Sequence, residues 1–156
     1  TMICFSSQNH YLFMQEAIAE AKKAFTEDEI PVGALLVKNN TIILKEHNRS
    51  RQLANPLAHC EKLLIDKILT SEPGFLYDYT LYVTLEPCLM CAGMIILSKI
   101  GTVVYGAKDP KTGVVGSLYN VLNDKSFNHH PVVIGGILEQ ECAFLLEEFF
   151  RKKRTL

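Results

Sequence analysis

Several things are missing from this 156-residue chain, and each absence removes a class of protein. No apolar run approaches the ~20 residues that a bilayer-spanning helix needs. Residues 1–5 lack the charged-then-apolar order of a secretory signal, so the cytoplasm is the expected location and no membrane is expected as a partner. Thr1, ahead of Met2, is set aside as a vector remnant. A strong charge of one sign is absent too: the net charge of -1 gives no global mark of nucleic-acid binding. Five cysteines make an odd number, and Cys88 and Cys91 stand at metal-site spacing, which argues against a disulfide framework and for a reducing compartment. Repeats, low-complexity tracts and linkers are lacking. With 48% apolar residues the chain suits one domain, 1–156, with a sizeable core.

What is present reads as alternating helices and strands. From 9 to 26, Phe13, Ala17, Ala21, Ala24 and Phe25 recur at helical spacing, with Asn9 placed as the cap. The acidic cluster 27–29 ends that helix. Apolar runs at 30–37 and 41–44 flank Asn39-Asn40, which predicts a β-hairpin. Residues 45–55 are polar and expected to be irregular. Asn55-Pro56 predicts a second helix start, with Asn55 as cap, carrying His59 and Glu61 in its first two turns and ending near 69. A strand at 81–85 leads directly into Pro87-Cys88 and a third helix, whose expected left-handed end residue is Gly101. A strand at 102–105, a loop at 107–113, a strand at 132–134 and a helix at 139–150 complete the chain. The last helix carries an apolar stripe of Cys142, Leu145, Leu146, Phe149 and Phe150. The class is α/β, with a central sheet covered on both faces.

The chemistry concentrates in two segments. Cys88 and Cys91 share a helix face and can share a metal ion. A helix N-terminus favours the thiolate form that a metal requires. His59 offers a third, nitrogen ligand, and Glu61 is a carboxylate close by that binding does not need. A redox dithiol would give His59 and Glu61 no role. A structural zinc site would need a fourth ligand, and His47, His129 and His130 lack the spacing to supply one. Three ligands with a spare carboxylate describe an open catalytic zinc site. H-x-E followed one crossover later by P-C-x-x-C is the pattern of zinc nucleobase deaminases, in which the glutamate shuttles protons and is not a ligand. Cys4 and Cys142 are expected to be packed small residues. Arg151, Lys152, Lys153 and Arg154 form a basic end, with Lys108 and Lys111 flanking a turn. A solvated helix end complementing the macrodipole explains that tail equally well.

The likeness extends past the metal motif. Pro31-Val32-Gly33-Ala34, Asn48-Arg49, 84–93, Lys111-Thr112-Gly113, Gly116-Ser117-Leu118, Phe127-Asn128-His129 and the ending from Gly136 to Arg151 resemble the bacterial tRNA-specific adenosine deaminases. That resemblance implies a cytidine-deaminase-like three-layer α/β/α sandwich with a central mixed sheet of about five strands, one zinc ion (Zn2+) per subunit and a homodimer. It implies conversion of adenosine to inosine at the wobble position of a tRNA anticodon stem-loop. His59, Cys88 and Cys91 would hold the metal and Glu61 would move protons. Val32, Asn48 and the backbone at Ala58 would meet the flipped-out base. Asp109, Lys111, Asn128 and His129 would contact neighbouring nucleotides, and residues 151–154 the phosphates. Deamination of another base or a free nucleoside, and a non-catalytic zinc protein that binds RNA, stay as alternatives. Three positions depart from the family pattern: Cys60 stands in place of alanine, Lys62 of an apolar residue and His130 of arginine.

Overall fold

The computed structural model describes residues 7–154, so Thr1 and Cys4 lie outside the described residues. Helix α1 (Ser7–Thr26) opens the chain. Its buried stripe is Met14, Ala17, Ile18, Ala21 and Ala24, the spacing of a helix with one face on a core. The helix begins at Ser7, so Asn9 sits inside the first turn and is not its cap. Small residues let α1 approach the sheet closely: a Cβ added at Gly33 would lie 2.6 Å from the Ala21 backbone nitrogen.

Strands β1 (Gly33–Lys38) and β2 (Thr41–His47) form the expected hairpin. Asn39 and Asn40 both adopt positive φ, 50° and 61°, as a tight two-residue turn matching the strand twist demands. Strand β2 runs three residues past the predicted 44. It is an edge strand whose first five residues alternate between exposed and half-buried. Its last three, Lys45, Glu46 and His47, are polar though Glu46 and His47 are buried, so their residue types disguise the end of the strand as irregular. Strand β3 (Tyr79–Leu85), β4 (Thr102–Ala107) and β5 (Val132–Ile134) complete a mixed five-stranded sheet in the order β2-β1-β3-β4-β5. The β1 pairings are antiparallel, whereas β3, β4 and β5 run parallel.

The pleat divides the core into two layers. Leu35, Val37, Tyr82 and Val104 face α1 and α4 (Glu139–Arg154). Their neighbours Ala34, Leu36, Leu81, Val83 and Val103 pack with α2 (Cys60–Ser71) and α3 (Leu89–Ser98). This is the three-layer α/β/α sandwich. Two helix ends differ from expectation. Helix α2 starts at Cys60 with His59 at the N-cap position, and Asn55 instead accepts a bond from Leu57 N inside the preceding turn. Helix α3 ends on Lys99 in the left-handed conformation, φ 63°, rather than on Gly101. Gly101 lacks a side chain for a different reason: a Cβ there would fall against the Tyr77 carbonyl. In α4, Cys142 and Phe149 are buried as the stripe predicts, while Phe150 is exposed.

Candidate active site

Strands β3 and β4 run parallel, and the chain leaves their C-terminal ends into α3 and the loop after Ala107. Ligand sites in open α/β sheets gather at such ends. Cys88 occupies the N-cap position of α3 with extended backbone and makes no side-chain capping bond, which leaves its sulfur to point elsewhere. Cys91 follows one turn in and is buried. On the other side, the Asn48 side chain at the end of β2 does the capping for α2: its Oδ1 accepts the Cys60 amide at 2.9 Å. His59, at the N-cap position, is thereby spared that duty and makes no capping bond of its own.

The two helix starts converge. His59 Nδ1 lies 3.5 Å from Cys88 Sγ and 3.8 Å from Cys91 Sγ, and the three ligand atoms all lie within 4.8 Å of one another. A tetrahedral zinc at ordinary bond lengths sets nitrogen–sulfur edges of about 3.6 Å. The donor set and its spacing therefore fit a zinc ion with one position left open. The electrostatics agree. The bond from Cys91, opposed by burial and aided by His59, holds the Cys88 thiol down to about 4, and Cys91 is pushed up in turn. Cys88 and then Glu61 raise the His59 ring against its burial. The thiols thus share a proton that a bound cation would displace.

Glu61 lies in the first turn of α2 and is buried. Burial pushes its carboxyl up, against a bond that the Cys60 thiol donates to Oε1 at 3.2 Å. A carboxylate lifted toward neutrality suits proton shuttling. Cys60 itself is pushed far up by burial and stays a thiol. Cys142 is likewise buried and raised to about 12, the packed residue its sequence context predicts.

His59, Glu61 and Cys88 open into a pocket of about 700 Å³ whose walls include Val32, Asn48, Asp109, Lys111, Phe150 and Arg154. That volume suits a nucleoside-sized ligand. Ala58 is buried beside the site, but its amide already donates to Asn55 O at 3.1 Å. Asp109 lines the mouth with its carboxylate turned into its own loop, accepting the Lys111 and Thr112 amides at 3.1 and 3.2 Å. Asn128 and His129 are not brought to this pocket. Asn128 accepts a bond from Lys99 Nζ at 2.8 Å, and His129 Nε2 lies 2.7 Å from Ile100 O. Both contacts lie before the start of β4, roughly 17 Å along that strand from the metal-binding end. In the basic tail, Arg151 pairs with Glu148, Lys152 lies over the Phe25 ring and Lys153 pairs with Asp28; Arg154 reaches the pocket. The departures from the family pattern are surface matters apart from Cys60: Lys62 pairs with Asp66 along α2, and His130 Nε2 meets Asp124 O.

Sequence reasoning missed the buried carboxylates Glu29, Glu46 and Glu86. Glu29 accepts the amides of Arg51 and Gln52 and pins the loop that follows Asn48. Glu86 holds the 109–117 loop and lines the pocket. The one available signal was an acidic residue directly beside an apolar segment, Ile30-Pro31-Val32 or Thr84-Leu85.

The fold and the converging triad define a zinc-dependent nucleobase deaminase type of protein. A family model for the cytidine and deoxycytidylate deaminase zinc-binding region matches residues 7–107, and the chain belongs to that family. Within it, the chain groups with the tRNA-specific adenosine deaminases. It is 48% identical over 144 residues to the tRNA-specific adenosine deaminase of Bacillus subtilis (strain 168), covering 92% of this chain and 89% of that one. Against the tRNA-specific adenosine deaminase of Streptococcus pyogenes serotype M1 it is 40% identical over 151 residues, covering 96% and 88%. A solved structure from work on A-to-I editing by tRNA:A34 deaminases superposes with a TM-score of 0.82 at 39% identity, over 86% of this chain and 99% of that one. The guanine deaminase of Nitrosomonas europaea, at 19% identity and a TM-score of 0.71 over 89% and 83%, shares the fold.

Proposed function

We propose that this chain converts adenosine to inosine at the wobble position of a tRNA anticodon. The observation that carries the reading is where the similarity runs. The general deaminase region covers 7–107, but relatives named tRNA-specific adenosine deaminase align over 144 to 151 residues. The added stretch supplies the outer pocket wall, Lys108 to Thr112 from one loop and Glu147, Phe150 and Arg154 from α4. The first part carries the chemistry, and the second shapes what may enter.

His59, Cys88 and Cys91 would hold one zinc per subunit, which when bound supplies Lewis-acid activation of a water molecule. Glu61 accepts a proton from that water on its carboxylate and returns it to the purine ring nitrogen. The carbon bearing the amine then takes up the oxygen. Glu61 then takes the remaining hydroxyl proton of that oxygen and passes it to the amine as the C–N bond breaks, leaving the carbonyl of inosine and releasing ammonia. Water enters, ammonia departs, and no redox partner is needed. An anticodon loop presents its base unpaired, so extrusion into the pocket costs little. Val32 and Asn48 line the pocket floor beside Glu61, and Asp109, Lys111 and Arg154 are the RNA contacts that share its mouth. Asn128, His129 and the rest of the basic tail would meet RNA only at other points on the surface.

Residues 1–156 act as one deaminase domain in this reading, and a homodimer fits it. Helix α3 has no charged residue in ten, yet Leu89 and Leu97 are 66% and 77% exposed, a face that a second subunit would cover. Among the described residues no helix is long and apolar enough to cross a membrane, and Cys60, Cys88, Cys91 and Cys142 are all free, as suits the cytoplasm where tRNA is modified. Incubating the protein with an anticodon stem-loop and analysing the RNA by mass should give one adenosine-to-inosine change. Ammonia release from free guanine or cytosine, with the stem-loop unchanged, would overturn the reading.

A further inference from the structure

Glu86 has a position that zinc chemistry does not explain. It is almost fully buried, and four donors converge on its two carboxylate oxygens. The Asp109 amide donates to Oε1 at 3.1 Å, and the Ser117 hydroxyl donates to the same oxygen. The amides of Val115 and Ser117 donate to Oε2 at 2.9 and 3.0 Å. All four come from one loop, one at its start and three at its end, so a single side chain closes 109–117 across its base. Loop backbone of this kind has no strand partner for its amides, and an acceptor-only group with two oxygens is what can satisfy several at once.

The fit is close enough to dictate a neighbour. A Cβ at Gly113 would fall on the Glu86 carboxyl group and lie 2.6 Å from Asp109 O, so only glycine lets the loop settle there. The loop also docks on the segment that carries the metal ligands: Val114 N donates to Pro87 O at 3.1 Å, and Gly113 bridges Cys88. Its tip, Pro110 to Thr112, forms one wall of the pocket.

We infer that Glu86 is a positioning residue for substrate, a latch that holds Lys111 and Thr112 at the pocket mouth so that RNA meets a preformed wall. The inference rests on the deaminase reading above for its substrate, while the latch itself stands on geometry. A role confined to the metal segment would put the loss into zinc content and kcat. A latch puts it into substrate binding, because the loop's ordering must then be supplied when RNA binds.

The test uses the full chain with zinc. Glu86→Gln keeps the shape and loses the charge and one acceptor; Ser117→Ala removes one donor. Expected for Glu86→Gln are one zinc per subunit, kcat on the stem-loop within about threefold of the parent, and KM raised about tenfold. Ser117→Ala should raise KM about threefold alone and add little in the Glu86→Gln background, since both act through one carboxylate. Hydrogen exchange in peptides covering 109–117 should quicken at least tenfold in Glu86→Gln, with α3 unchanged. Unchanged exchange in that loop, or lost zinc and kcat with KM intact, would overturn the inference. If the parent makes no inosine, the functional reading fails and the latch is decided by the exchange data alone.

Discussion

Replacing Glu61 by glutamine isolates the proton shuttle from everything around it. The side chain is 4% exposed, so the substitution must fit a packed site, and glutamine has the same shape. Its amide oxygen still accepts the bond that Cys60 Sγ donates at 3.2 Å. None of the three metal-binding groups is altered, so zinc should remain at one per subunit. Burial disfavours the ionised glutamate, so the neutral amide should leave thermal stability unchanged or slightly raised. What disappears is a group that can take up and release a proton. Each positioned proton transfer contributes about 10²–10⁴-fold. Deamination needs at least two transfers through this one residue, so kcat should fall by about 10⁴ or more, roughly 5 kcal/mol of barrier at 1.36 kcal/mol per tenfold. The assay is single-turnover conversion of an anticodon stem-loop, read as inosine after nuclease digestion, alongside zinc content. A zinc-loaded Glu61→Gln protein that turns over within about tenfold of the parent would refute the assignment.

Three other perturbations probe the scaffold. Cys88→Ala should lose both bound zinc and turnover, measured by elemental analysis and inosine formation; retained stoichiometric zinc would exclude Cys88 as a ligand. Gly33→Ala drives a methyl group into the α1 backbone and should cost about 1–3 kcal/mol as overpacking, read from the urea midpoint at constant slope. Glu46 is pushed up by burial, but bonds from Lys67, the His47 amide and Arg49 outweigh that and leave its carboxyl below the ordinary value of 4.5. A depressed folded pKa contributes stability that is present above that ordinary value and is lost as pH falls through the folded one. Glu46→Gln should therefore be less stable than the parent at pH 7, by something on the order of 1 kcal/mol after discounting for solvent around Lys67 and Arg49. The gap should narrow as pH falls below the ordinary value of 4.5 and close below the folded one. A gap in urea midpoints that stays constant as the pH is lowered from 7 until the parent unfolds in acid would reject this linkage.

The features legible in the sequence were those set by neighbouring residues. Asn39-Asn40 specifies a turn by its own φ preference, and the near-continuous apolar runs of β1 and β3 mark strands of a sheet covered on both faces. His59, Glu61, Cys88 and Cys91 declare their chemistry by residue type and spacing. What escaped depended on partners far along the chain. The start of α2 was misplaced because its capping group is Asn48, twelve residues before the amide it binds. Asn55, the cap predicted from local sequence, closes only its own turn. Strand β2 hides its last residues because Glu46 and His47 are polar types that are buried here, Glu46 held by Arg49 and Lys67, partners that local sequence does not announce. The position of Asn128 and His129 could not be read without strand direction: β4 and β5 run parallel, and the pair lies at the starting end of both, away from the pocket.

The buried glutamates were illegible for a related reason, since glutamate is ordinarily a surface residue and nothing nearby advertises a distant amide. Yet Glu29, Glu46 and Glu86 explain how an open pocket holds its shape. The loops around it have few ladder bonds, so their amides need acceptors from elsewhere. Glu29 takes amides from the loop after Asn48, Glu46 ties the end of β2 to Arg49 and Lys67, and Glu86 closes 109–117. No buried side-chain nitrogen or oxygen among the described residues lacks a partner. The metal-binding groups, by contrast, stand at the starts of two helices fixed by the core. The pocket is thus assembled from two independent supports, helix ends for the reacting atoms and carboxylate-held loops for the wall. Changes in the loops should therefore alter what the pocket admits while the triad and Glu61 keep their geometry.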